Sequence, residues 1–260
     1  MRNPVFIVGS PRSGTSALVD VLRHGGYNGF LEGNFLSLLQ GVDQLIEQHY
    51  KWYSSDNKRV LLSNVDKNDL KRQLFERFQT IVNSLNPQAP WFDKTGNPEM
   101  TMAIPIVREL WPSAAFIFAK RRGIENVISR LTKFPGHSFD YHCANWAKNM
   151  SVWRTIRGQI PADSFFEMEQ RKMVRHPKAA ARELGVFLGM SEAAMTAVAN
   201  VMDTHRPQET TKGSAIRTVS LDGAGWSKEQ IDTFLKHCET EMKEFGYTSD
   251  ERYSVNPDVS

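Results

Sequence analysis

Pro4-Val-Phe-Ile-Val-Gly9-Ser-Pro-Arg12-Ser-Gly14-Thr-Ser16-Ala-Leu-Val-Asp-Val-Leu22 is the stretch that decides the fold. Val5, Phe6, Ile7 and Val8 form a wholly apolar run of the kind that fills a parallel strand buried on both faces. Ala17, Leu18, Val21 and Leu22 follow at a spacing that puts four apolar side chains on one helix face. Between them lies a glycine loop. Strand, glycine loop and helix together make an anion site, because the glycines let the backbone approach closely and the unpaired N–H groups of the helix start point outward. The template for a nucleoside triphosphate loop has Lys after its second glycine, whereas Gly14 is followed here by Thr15 and Ser16. The only cation inside the loop is Arg12, so the residues argue against an NTPase and for another phosphate-bearing ligand.

Working outward, Ala114-Ala-Phe-Ile-Phe-Ala119 is a second apolar strand that runs directly into Lys120-Arg121-Arg122. Cations at the carboxyl end of a buried strand sit where open α/β sheets bind ligands. Gly123 opens the next helix, and Ser129 lies eight residues after Arg121. A strand-end guanidinium can clamp a phosphate with two donors while a hydroxyl on the following helix donates to the same group. Trp91 to Asp93 and Ser164 to Met168 supply further short strands, the first with a charged end. Single helices are expected from an Asn34 cap through Ile46, from Leu70 to Leu85, from about Pro98 to Leu110 and over much of Phe139 to Ile160, where the Trp146, Met150 and Trp153 stripe reads as core. Ser227 with Gln230 forms a capping box for a closing helix, and the charged residues after Thr248 are expected to fray.

Two motifs carry a resemblance to the sulfotransferase superfamily. One is the loop Pro11-Arg-Ser-Gly-Thr-Ser16; the other is Arg121 with Glu125 and Ser129 at family spacing, although Arg122 and Gly123 depart from it. The resemblance implies that Arg12, Ser13, Gly14, Thr15 and Ser16 grip the 5′-phosphosulfate of 3′-phosphoadenosine 5′-phosphosulfate (PAPS), with Arg12 also acting on the leaving group. It implies that Ser129 and either Arg121 or Arg122 hold the 3′-phosphate, and that Lys212 and Arg217 of a late loop (204–225) cover the nucleotide. The base that takes the acceptor proton is either Glu32, at a helix start, or Asp93 in Asp93-Lys94-Thr95. The implied fold is α/β, a three-layer sandwich with a central, mostly parallel, P-loop-like sheet flanked by helices.

The 260 residues fit one such domain, with a helical insertion over 30–85 that forms one wall of an acceptor pocket. A net charge of +3, from 32 basic and 29 acidic residues, argues against a nucleic-acid partner. Cys143 and Cys238 lack partners at metal-ligand spacing, so no metal is expected. No apolar run approaches the roughly 18 residues that span a bilayer, and strand residues begin at once, so the expectation is a cytoplasmic protein without a membrane partner. The expected reaction is sulfuryl transfer from PAPS to a small-molecule or glycan acceptor, with oligomeric state open. Two other readings stand beside it: a P-loop kinase in which Asp93 holds magnesium for ATP, and a nucleotide-binding protein without turnover.

Overall fold

The computed structural model describes residues 1–204 and 218–255. Five strands form one sheet: β1 (Val5–Gly9), β2 (Asn28–Gly29), β3 (Trp91–Lys94), β4 (Ala115–Lys120) and β5 (Phe165–Glu169). Their order is β2-β3-β1-β4-β5, and every pairing is parallel. The apolar runs read from the sequence thus fill the two central strands, β1 and β4, whose residues are buried on both faces apart from half-buried Lys120.

Parallel neighbours need crossovers, and helices supply them. One face of the sheet carries α1 (Thr15–His24), α8 (Gln170–Arg175), α9 (Pro177–Leu188) and α10 (Glu192–Thr204), which bury Leu18, Leu22, Met173, Leu184 and Val198 against Val5, Ile7 and Ile117. The other face carries α2 (Leu38–Tyr53), α3 (Lys67–Leu85), α4 (Pro98–Met102), α5 (Ile104–Leu110), α6 (Gly123–Lys133), α7 (Phe139–Arg157) and α11 (Lys228–Glu244). Here Trp146 and Trp153 lie fully buried with Phe6, Phe116 and Phe118, so their stripe is core. The connections that leave the carboxyl ends of neighbouring β1 and β4 go to opposite faces, α1 on one and α6 on the other, and that divergence opens a crevice between them.

Several elements differ from the sequence expectation for physical reasons. The helix expected from Asn34 begins at Leu38, because residues 33 and 34 run beside β3 instead: the Gly33 N–H donates to Lys94 O at 2.9 Å and the Asn34 N–H to the Thr95 hydroxyl at 2.9 Å. The single helix expected over 98–110 is divided at Ala103, since Pro105 has no N–H to offer the Thr101 carbonyl. Asn28–Gly29, legible only as part of a glycine turn, adds a two-residue edge strand. The Ser227–Gln230 capping box is formed. Residues 248–255 do not fray: Tyr247 pairs antiparallel with Ser254, and Tyr253 is buried.

Candidate active site

The loop after β1 is held in place by its own geometry and by α6. A Cβ on Gly9 would overlap the Ala119 carbonyl oxygen of β4, and its φ of 131° suits glycine alone. Arg12 adopts a left-handed φ of 71°, and Gly14, at φ 93°, caps α1. Thr15, Ser16 and Ala17 begin the helix, and the first closed bond is Leu18 N–H to Gly14 O at 3.1 Å, so their amides face the crevice without intrahelical partners. Asn126, Ser129 and Arg130 lie at i, i+3 and i+4 on α6, one face of the helix. Asn126 Nδ2 donates to Pro11 O and Ser13 Oγ, both at 3.0 Å, Arg12 Nε donates to Ser129 Oγ at 3.0 Å, and Arg130 Nη1 donates to Ser10 Oγ at 3.1 Å.

The end of β4 presents two neighbouring arginines with opposite fates. Arg122 is completely buried and spends its guanidinium on protein groups: Nε on Glu125 at 2.8 Å, Nη1 on the carbonyls of Thr248 and Asp250 at 2.9 and 2.6 Å, Nη2 on Glu125 and the Val219 carbonyl. It also stacks against the Tyr253 ring, whose hydroxyl donates to Glu169 at 2.6 Å. Arg121 turns toward the loop instead. Its Nη1 donates to Arg12 O at 3.2 Å, and its buried Nε has no hydrogen-bond partner among the described residues. Burial lowers the Arg121 pKa, and burial together with the Arg121 charge lowers that of Arg12. Two guanidiniums at close quarters in a half-dry crevice form a strong field for an anion.

On the other side of β1, the end of β3 brings the two carboxylates together. Lys94, almost fully buried, pairs with exposed Glu32, and the Glu32 charge acts on neighbouring Asp93. Burial, aided by that charge, pushes the Asp93 carboxyl up to about 6, against the opposing pull of the Thr95 hydroxyl, which donates at 3.0 Å, and of Lys94. Gly33 makes this packing possible: a Cβ there would overlap Asp93 Oδ2. A carboxylate with a raised pKa at a strand end can accept a proton near neutral pH.

The structure therefore gathers Arg12, Ser13, Gly14, Thr15, Ser16, Arg121 and Ser129 around one loop, with Glu32 and Asp93 paired across β1 from them. Lys212 and Arg217 lie outside the described residues. Asn126, Arg130 and Gly33 were not singled out from the sequence. The i, i+3, i+4 relation to Ser129 was a signal for the first two, and the glycine beside Glu32 was one for the third. Among the described residues no group of three His, Cys, Asp or Glu side chains is placed to hold a metal ion, and no helix is long and apolar enough to cross a membrane.

A parallel sheet with a glycine anion loop at its centre defines the α/β class of the fold, and sequence comparison supplies the family. The profile of a sulfotransferase family matches residues 4–194, and the chain belongs to that family. No curated protein matches the sequence significantly. Solved structures with the same fold include the sulfotransferase domain of the Synechococcus PCC 7002 olefin synthase, at TM-score 0.57 and 19% identity over 95% of this chain and 96% of that one. Sulfotransferase STF9 from Mycobacterium avium aligns at TM-score 0.53 and 15% identity, covering 92% and 76% of the two chains. Mouse sulfotransferase SULT7A1, solved in complex with PAP, aligns at 0.52 and 13% identity, covering 93% and 84%.

Proposed function

We propose that the protein transfers a sulfuryl group from PAPS to a hydroxyl or amine of a small-molecule or glycan acceptor. The observation that carries this reading is Arg121: a buried guanidinium facing the anion loop, with, among the described residues, an orphaned Nε and no carboxylate as a hydrogen-bond partner. A buried donor without a partner is costly, and an anionic ligand would satisfy it. Arg122, with its donors already committed, is a structural residue, so Arg121 and Ser129 take the 3′-phosphate. Arg12 and the amides of Ser13 to Ser16 take the phosphosulfate. That PAP occupies the mouse relative supports the same nucleotide class here.

Asp93 is the base in this reading. Its raised pKa suits proton acceptance near neutral pH, while Glu32 is exposed and paired with Lys94. As the acceptor O–H or N–H proton passes to an Asp93 oxygen, the acceptor forms its bond to sulfur. The sulfur–oxygen bond to the 5′-phosphate breaks, and the departing bisphosphate keeps the electron pair beside Arg12. Positioning and preorganised charge supply the catalysis.

The test is a thermal-shift titration with 3′,5′-adenosine bisphosphate, AMP and Mg-ATP, for the wild type and Arg121→Ala. At about one hundred times its dissociation constant a ligand stabilises by about 2.7 kcal/mol. A shift with the bisphosphate that Arg121→Ala loses supports the reading, and a larger shift with Mg-ATP overturns it.

A further inference from the structure

Arg130 is a second buried arginine at the loop, and it approaches from behind. It is 3% exposed, and its hydrogen-bond partners are all neutral: Ser10 Oγ at 3.1 Å, Asn145 Oδ1 at 2.7 Å and His142 Nδ1 at 3.4 Å. His142 is fully buried, and its Nε2 lies 3.2 Å from Phe134 O, so the ring donates there and leaves Nδ1 free to accept from Arg130. The other groups whose charge would bear on Arg130 are Tyr141, Cys143 and Cys238, none of them a carboxylate. Burial lowers its pKa to about 10, so the guanidinium stays protonated near neutrality.

A buried arginine that serves only as a staple is expected to meet a carboxylate, as Arg122 meets Glu125. Arg130 meets none among the described residues. Its hydrogen bond to the loop is made with Ser10, which also defines the turn: the Ser13 N–H donates to Ser10 O at 3.1 Å. The loop also lacks the lysine of nucleoside triphosphate sites, so a cation beneath its backbone fills an electrostatic gap in the sequence.

We infer that Arg130 is a positioning residue of the anion loop, which acts through the Ser10 hydroxyl to fix the loop backbone and places an uncompensated positive charge behind the bound phosphosulfate. His142 and Asn145 of α7 hold the guanidinium in register. The inference rests on the donor reading for the identity of the anion, while the charge and its connection to Ser10 stand on geometry alone.

Affinities of 3′,5′-adenosine bisphosphate and of inorganic pyrophosphate, measured by calorimetry on folded wild type, Ser10→Ala, Arg130→Gln, Arg130→Lys and the Ser10→Ala/Arg130→Gln double variant, test it. Arg130→Gln is expected to weaken both ligands about tenfold, the loss of one charge-assisted contact. The lysine variant, which keeps the charge, should recover to within about threefold of wild type. Because the effect runs through Ser10, the double variant should bind no more weakly than Arg130→Gln alone, a non-additivity expected of one connected unit. Unchanged affinity in folded Arg130→Gln, or no rescue by lysine, overturns the inference and leaves Arg130 a structural staple. If Arg130→Gln does not fold, Ser10→Ala carries the test, and wild-type affinity in that variant is the overturning result. Wild-type binding of pyrophosphate without the bisphosphate overturns the donor reading while Arg130 is still read on pyrophosphate; binding of neither removes both.

Discussion

The two halves of the crevice are built in different ways. On the β1–β4 side, polar groups are buried and mutually bonded: Asn126, Ser129 and Arg130 hold the loop, and Arg122 is closed off by Glu125 and three backbone carbonyls. On the β2–β3 side, Phe30, Leu31 and Leu38 stand about half exposed, and the insertion ties itself together with surface ion pairs such as Lys67–Glu47 and Lys71–Glu47. A rigid half suits a ligand whose charges never vary. An open half, with apolar surface left uncovered, suits one whose shape does.

The largest break in this comparison comes from Asp93, the half-buried carboxylate at the end of β3 on the open side. Asp93→Asn should lower kcat by about 10²- to 10⁴-fold, the range for loss of a general base, with bisphosphate affinity within about twofold of wild type. Glu32→Gln should cost less than about tenfold in the same acceptor assay, and equal activity in both variants would end the carboxylate-base proposal. The pH dependence follows in sign. With the Asp93 pKa raised to about 6, kcat should rise as pH rises through about 6. The same shift means that Asp93 favours the folded state at low pH and loses that contribution as pH climbs through about 6, so Asp93→Asn should raise stability at pH 7 by up to about 3 kcal/mol in a denaturant titration.

On the rigid side, Arg122→Ala leaves Glu125 buried and unpaired and should destabilise by about 3–5 kcal/mol, a fall of roughly 6–20 °C in Tm. Arg121→Ala, by contrast, should hardly move the ligand-free Tm. A milder effect is expected of Gly33→Ala, whose new methyl must displace the Asp93 carboxylate: about tenfold in kcat, about 1.4 kcal/mol, with bisphosphate binding intact. The smallest effect should come from Glu47→Gln, which removes exposed ion pairs and should leave Tm within about one degree of wild type.

What the sequence made legible was short-range. The apolar run Val5 to Val8, the glycines that follow and the strand read over 114–119, formed one residue later as Ala115–Lys120, each fit in a window of ten residues. The different surroundings of Arg121 and Arg122 were not legible, because those of Arg122 include carbonyls at 219, 248 and 250, about a hundred residues away along the chain. Glu32 and Asp93 were both named, yet their proximity arises from the pairing of β2 with β3, and β2 is too short to announce itself. The divided helix at Ala103 had its signal in Pro105, which the run of apolar spacing outweighed. Tyr253 lay in a charged tail whose polarity suggested solvent, and its burial depends on Glu169 and two arginines from other elements.

That tail has a consequence for how the molecule is made. Three of the acceptors that quiet Arg122, the carbonyls of Val219, Thr248 and Asp250, are translated about a hundred residues after it, far later than its neighbour Glu125. Until they emerge, Glu125 meets the Arg122 charge but Nη1 is without its two carbonyls. A fragment trimmed to the family-matched residues 4–194 would lack all three carbonyls permanently. Expression of this domain should therefore extend through Ser254, with any fusion partner joined beyond it.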